Sequence, residues 1–162
     1  MYLSKSRILK RITQDNLIEN SVNSNIQGAG VDLTIDNLFE IISSSNLNIN
    51  SRELPQLNEL HLSQYCLNPG SYYLCTTTEK VNMPDDLVAF ILPRSTLFRC
   101  AVSLRTAVID PGYSGILTIG IKNEGTYPFN IEKGSCFCQI VFSEVRGKTP
   151  SYDGKYQGGK IK

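Results

Sequence analysis

The sequence has little of what several common chemistries need. Its 162 residues hold one histidine, His61, no tryptophan and two methionines. With a single imidazole, outside any motif that could activate a hydroxyl or thiol, Ser-His and Cys-His nucleophile pairs are excluded. Zinc sites built on paired Cys and His ligands are disfavoured for the same reason. No apolar run approaches the roughly 18 residues of a membrane span. The opening Met1-Tyr2-Leu3-Ser4-Lys5 lacks the apolar core of a signal peptide, so the chain reads as cytoplasmic with no membrane partner. Charge of one sign is missing too: 16 Lys+Arg stand against 15 Asp+Glu. No wide electrostatic field results, and a nucleic-acid track is not indicated. Any anion has to be held by local groups. The five cysteines are odd in number and scattered. Lying mostly within apolar segments, they read as small buried hydrophobes rather than a disulfide framework.

What is present is a β pattern. The length suits one domain, with a core over residues 1–145. Ser4 can cap a short N-terminal helix with Ile8, Leu9 and Ile12 on one face and Lys5, Arg7, Lys10 and Arg11 toward solvent. From about residue 30, short apolar or alternating runs are separated by turn chemistry. Residues 31–35 alternate, 72–75 follow an Asn68-Pro69-Gly70 turn, and 87–92 are continuously apolar. Residues 119–122 and 136–142 complete the set. Many short strands with one convincing helix predict a mostly β sandwich or barrel such as a jelly roll. The Ser- and Asn-rich stretch 43–50 reads as a surface excursion. Residues 146–162 carry four glycines and four lysines, which predicts a flexible C-terminal tail.

Two segments carry chemistry. Pro93-Arg94-Ser95-Thr96-Leu97-Phe98-Arg99 places a guanidinium fork, two hydroxyls and successive amides at the end of an apolar strand, a phosphate-binding set of donors. An N-capped turn with a solvated arginine is the alternative. Val108-Ile109-Asp110-Pro111-Gly112-Tyr113-Ser114-Gly115 brings an acid, a turn and an aromatic ring together. Asp110 can orient or deprotonate a water, and Tyr113 can lie against a sugar.

In this order the motifs resemble the trimeric dUTPase and dCTP deaminase superfamily over nearly the whole chain. Residues 1–12 are similar to the opening helix of its deaminase branch, and Gly28-Ala29-Gly30-Val31-Asp32-Leu33 to its first motif. Residues 93–99, 108–115 and 134–140 are similar to the next three. Tyr152-Asp153-Gly154-Lys155-Tyr156-Gln157-Gly158 is similar to the deaminase tail. The resemblance implies a distorted jelly roll, the dUTPase-like β-clip, assembled as a homotrimer with sites at subunit interfaces and a tail closing over nucleotide. It implies that Arg94, Ser95 and Thr96 bind the triphosphate with Gln139, and that Asp110 contacts the 3'-hydroxyl and the attacking water. Tyr113 would pack on the deoxyribose, and backbone near Thr106, Ala107 and Val108 would read the pyrimidine. Tyr152, Lys155 and Gln157 would complete the phosphate pocket, and Mg²⁺ would be held by the triphosphate and water rather than by protein ligands. Arg99 matches a deaminase active-site arginine; a structural pairing with Asp32 or Glu124 is the alternative.

The resemblance also separates two reactions. The family's deaminases place a glutamate ten residues after the aspartate of this motif, and here that position is Gly120. Glu124 comes four residues too late, about 13 Å along a strand. Loss of a general acid/base costs roughly 10²–10⁴ in rate. The expectation is therefore a dUTP diphosphatase forming dUMP and pyrophosphate, with a dCTP deaminase, alone or bifunctional with dUTPase activity, or a non-catalytic nucleotide-binding regulator as alternatives.

Overall fold

The computed structural model describes residues 1–159 and 161. Helix α1 (Lys5–Asp15) leads into strand β1 (Ile18–Glu19), a 3-10 turn (Asn23–Asn25) and the long β2 (Val31–Ile41). A small hairpin, β3 (Asn46–Leu47) and β4 (Arg52–Glu53), precedes β5 (Leu57–Leu60), β6 (Gln64–Leu67) and β7 (Tyr72–Asn82). Then come β8 (Leu87–Pro93), the one-turn α2 (Ser95–Arg99), β9 (Val102–Arg105), β10 (Ser114–Asn123), β11 (Phe129–Glu132) and β12 (Cys136–Glu144). The mostly β architecture expected from the sequence is the one adopted.

The main sheet runs β8-β12-β2-β7-β10-β9, with β1 and β5 paired to β7 and β2, and its pairings are antiparallel. It nearly closes on itself. Ala89 of β8, at one end of that order, exchanges two backbone hydrogen bonds of 3.0 Å with Ile109, just beyond β9 at the other. Closure removes exposed edges and gathers one core, in which Leu33, Ile35, Leu87, Ile119, Ile121, Phe137 and Phe142 are fully buried. A register shift between Cys136 and Cys138 leaves Phe137 as a bulge, turning its ring into that core. Glu79 is buried beside it, its two carboxylate oxygens each accepting a 2.9 Å hydrogen bond from Thr34, one from the amide and one from the hydroxyl.

Several sequence expectations are corrected. Ser4 occupies the N-cap position of α1, yet its hydroxyl makes no capping bond and meets Ser6 instead. Ile8 is buried, but Leu9 turns outward. Arg11 does not face solvent freely: it donates two hydrogen bonds, of 2.8 and 2.6 Å, to Asp86 and pairs with Asp15. Among the five free cysteines only Cys75 and Cys138 are buried, while Cys66 and Cys100 are exposed. The 43–50 excursion is exposed, as expected. The tail lies against the body, with Tyr152 N–H donating to Pro111 O and Gly158 N–H to Ser114 O, both at 2.8 Å. Lys160 and Lys162, also counted in the tail, lie outside the described residues.

Candidate active site

The segment between β9 and β10 forms the floor of a cavity of about 340 Å³, large enough for a nucleoside. Thr106, Ala107, Val108, Ile109, Asp110 and Tyr113 line it, with Leu74 of β7 and Leu117, Thr118 and Ile119 of β10. The Asp110-Pro111-Gly112-Tyr113 turn is closed by a 3.2 Å hydrogen bond from Tyr113 N–H to Asp110 O. Gly112 adopts φ +81°, and a Cβ there would strike Ser151 and the Tyr152 amide. Only glycine serves both the turn and the close passage of the tail.

The tail supplies the opposite wall. Tyr152, Tyr156, Gly159 and Ile161 face the cavity, and the Tyr152 ring meets Tyr113 edge-on at 5.7 Å. Tyr113 is half-buried and donates its hydroxyl proton to Ile116 O at 2.6 Å. Burial, followed by the neighbouring Tyr152, pushes its phenol up to about 12. Gln157 straps the turn, donating to Gly112 O and accepting from Ser114 N–H, both at 2.9 Å. Leu54, Pro55 and Leu57, from the end of the polar excursion, form a third wall, and Arg52 lies 5.6 Å from the centre of the Tyr156 ring, within cation–π reach.

A second, polar pocket of about 320 Å³ is lined by Gln27, Asp32, Pro93, Arg94, Ser95 and Gln139. Sheet register assembles it. Gln139 of β12 stands opposite Asp32 of β2 on one side and Leu92 of β8 on the other. Asp32 is 5% exposed and is the hub: Gln27 and Gln139 donate to it at 3.2 and 3.3 Å, and Arg94 pairs with it at 3.5 Å. Arg94 and Gln139 thus converge around one buried carboxylate, with Ser95 starting α2 beside them.

The structure brings together Thr106, Ala107, Val108, Asp110, Tyr113 and Tyr152 in the first pocket, and Arg94, Ser95 and Gln139 in the second. The two pockets share no residue. Thr96 and Lys155 are exposed and line neither, and Gln157 holds the turn instead of facing the second pocket. Arg99 pairs with neither suggested carboxylate; its guanidinium lies 5.7 Å from the Phe98 ring centre. Glu124 is engaged by Lys122 at 2.9 Å, Ser103 at 2.9 Å and Arg105 at 3.1 Å. Lys122 first, then Ser103, holds its carboxyl below the usual range, and it lines neither pocket. Sequence reasoning missed Leu54, Pro55, Leu57 and Tyr156. An apolar Leu-Pro-x-Leu ending a polar excursion was the available signal. It also missed Gln27, which nothing in the sequence marked.

With this geometry in view, similarity to known proteins is informative. Residues 2–145 match the model of the "DCD: dCTP deaminase-like" family. The chain belongs to the dCTP deaminase-like family. It is 36% identical over 132 residues to a "Probable deoxyuridine 5'-triphosphate nucleotidohydrolase" of Methanothermobacter thermautotrophicus, covering 82% of this chain and 87% of that one. It is 30% identical over 173 residues to a dCTP deaminase of Halorubrum lacusprofundi, covering 99% and 85%. Among solved structures, the Agrobacterium tumefaciens 2'-deoxycytidine 5'-triphosphate deaminase superposes with a TM-score of 0.69 at 19% identity, over 87% of this chain. This chain spans about half (47%) of that protein. The EIAV dUTPase superposes with a TM-score of 0.54 at 14% identity, covering 86% and 92%. At these identities the superpositions establish the fold. Within the dCTP deaminase-like family the sequence relatives carry both activities in their names.

Proposed function

We propose that this chain is a dUTP diphosphatase, converting dUTP and water to dUMP and pyrophosphate. One observation carries the reading: the first cavity has Asp110 among its lining residues, while position 120 on β10 is glycine and the nearest later carboxylate, Glu124, is tied up elsewhere. The acid that can activate water near a phosphate is present, and a carboxylate that could move protons at the base is not. The Methanothermobacter relative's name agrees with this choice.

In this mechanism the pyrimidine and deoxyribose occupy the apolar cavity, with backbone of Thr106, Ala107 and Val108 reading the base edge and Tyr113 against the sugar. Asp110 takes a proton from water as its oxygen forms a bond to the α-phosphorus. The bond from that phosphorus to the bridging oxygen breaks, and pyrophosphate leaves with the electron pair. Arg94, Ser95 and Gln139 bind the charged phosphate oxygens and hold them in line, which is where most of the catalysis of such transfers lies. Because the two pockets share no residue within one chain, we assign the complete site to an interface, the phosphate-binding pocket coming from a second copy in a homotrimer. We place the divalent ion on the substrate side. Among the described residues no cluster of three His, Cys, Asp or Glu exists, and Asp32 already serves Arg94, Gln27 and Gln139. Mg²⁺ carried by the triphosphate would neutralise phosphate charge without a protein cage.

The test is ion-exchange analysis of products after separate incubation with dUTP and dCTP in Mg²⁺. dUMP and pyrophosphate from dUTP are expected. Asp110→Asn should cut turnover by about 10²–10⁴-fold while nucleotide binding persists; unchanged turnover would remove Asp110 as the base. Ammonia released from dCTP would establish the second reading, a deaminase, which the Halorubrum relative's name favours. Tight nucleotide binding without any product would leave a regulator.

A further inference from the structure

The Ser- and Asn-rich stretch that reads in sequence as a surface excursion folds into a tied hairpin between β2 and β5. At its neck Ile42 N–H donates to Gln56 O at 3.0 Å, and Gln56 N–H donates to Ser43 Oγ at 2.8 Å. At its tip β3 pairs with β4, Asn48 N–H donates to Ser51 O at 2.8 Å, and the Asn46 amide donates to Glu53 at 3.1 Å. The polar groups thus close the hairpin on itself. Its apolar residues near the neck, Leu54, Pro55 and Leu57, line the cavity instead. Pro55 and Leu57 are half-buried and Gln56 between them is exposed, the alternation of an extended segment covered on one face. The tail meets the same hairpin. The Arg52 guanidinium lies 5.6 Å from the centre of the Tyr156 ring, and Tyr156 is itself a lining residue.

We propose that this hairpin is a nucleoside-binding element: Leu54, Pro55 and Leu57 pack against the nucleoside, and Arg52 is a positioning residue that holds Tyr156, and with it the tail, at the cavity. The proposal rests on the nucleotide reading above for the identity of the occupant. It adds a segment that the reading does not use. Leu54 is 43% exposed, so an occupant that covers it removes apolar surface from water and gains affinity. The phosphate-binding residues Arg94, Ser95 and Gln139 line the other pocket. The contribution of the hairpin therefore falls on the nucleoside end of the ligand and not on its charged end.

Two measurements on the full chain test it, neither needing turnover. In the first, calorimetric affinities for dUTP and for inorganic tripolyphosphate, without divalent metal, are compared for wild type, Leu54→Ala and Leu57→Ala. Each truncation should weaken dUTP by about tenfold and leave tripolyphosphate nearly unchanged. Leu54 lies outside the buried core, so its variant remains informative if Leu57→Ala fails to fold. Equal weakening of both ligands, or undiminished dUTP binding by Leu54→Ala, would overturn the nucleoside contact. The second is hydrogen exchange of the tail in the ligand-free chain. Arg52→Gln should speed exchange of the Tyr152 and Gly158 amides, which donate to Pro111 O and Ser114 O, by about 2–5-fold, the size of an exposed cation–π contact. Arg52→Lys keeps the cation and should restore most of the protection, and Arg52→Gln should add little in a Tyr156→Leu background. Unchanged exchange in Arg52→Gln, or equally fast exchange in the glutamine and lysine variants, would overturn the positioning role. A chain that binds dUTP more tightly than tripolyphosphate but does not hydrolyse it would sink the diphosphatase reading and leave the hairpin's role standing. A wild type that binds dUTP no more tightly than tripolyphosphate would overturn both.

Discussion

Tyr113 shows how one side chain joins fold and site. Its ring is held between the cavity and Tyr152, and its hydroxyl proton goes to Ile116 O, so ionisation would break a 2.6 Å hydrogen bond. Burial raises its folded-state value to about 12, above the ordinary phenol value of about 10. The native state therefore holds this proton where the unfolded chain has released it. The resulting stability is complete below about pH 10 and is lost as pH rises toward 12. Tyr113→Phe should lose about 1 kcal/mol at neutral pH through the missing hydrogen bond and should show a shallower decline in alkali. Urea unfolding at intervals between pH 7 and 11 measures both; parallel curves for the two proteins would deny Tyr113 this role. The sequence made Tyr113 conspicuous because an acid, a turn and a ring sit within four residues. Asp32 was legible only as part of a motif. Its work as a hub depends on Gln139 and Arg94, brought together by three adjacent strands whose register no local pattern reveals.

Elements were legible where the apolar pattern was local. β8 follows from a continuous apolar run and β12 from an apolar segment after a turn, whereas β2 and β7 extend well past the short segments first read at 31–35 and 72–75 because pairing partners on both sides stabilise less regular residues. The docking of α1 was harder to foresee. Its amphipathic face buries Ile8, but its lateral anchor is Arg11, whose partner Asp86 lies 75 positions away. The Arg11 hydrogen bonds hold the Asp86 carboxyl below its usual range, so the stability from this pair is present above about pH 4 and fades as acid protonates Asp86. Asp86→Asn should cost about 1 kcal/mol at pH 7, and the difference from wild type should be smaller at about pH 3. Chemical denaturation at the two pH values reads this out, and hydrogen exchange should show α1 opening first. Equal stability at pH 7 would mean that burial of Ile8 alone holds the helix.

The whole molecule poses the question of completeness. Asp110 lines the apolar cavity of a single chain, and Arg94, Ser95 and Gln139 line a separate pocket. Exposed apolar groups, Phe90 at 37%, Leu92 at 50% and Val108 at 52%, flank the Ala89–Ile109 bridge near both. Such a patch suits self-association, and a partner seated there could bring its phosphate pocket to this chain's Asp110. The arrangement makes a quantitative forecast. Asp110→Asn and Arg94→Ala chains, each nearly inactive alone, are co-expressed with different tags and purified as mixed assemblies. If each site of a trimer takes Asp110 from one copy and Arg94 from the next, every mixed trimer keeps about one site in three with both groups intact, and roughly a third of wild-type dUTP hydrolysis should return. If both groups serve the same site from one chain, every site carries a lesion and no activity reappears. Sedimentation of the same samples gives the number of copies, so a failure to associate is distinguished from association without complementation. The sequence supplies both halves of the chemistry, and the mixed assemblies decide whether one chain or two complete the site.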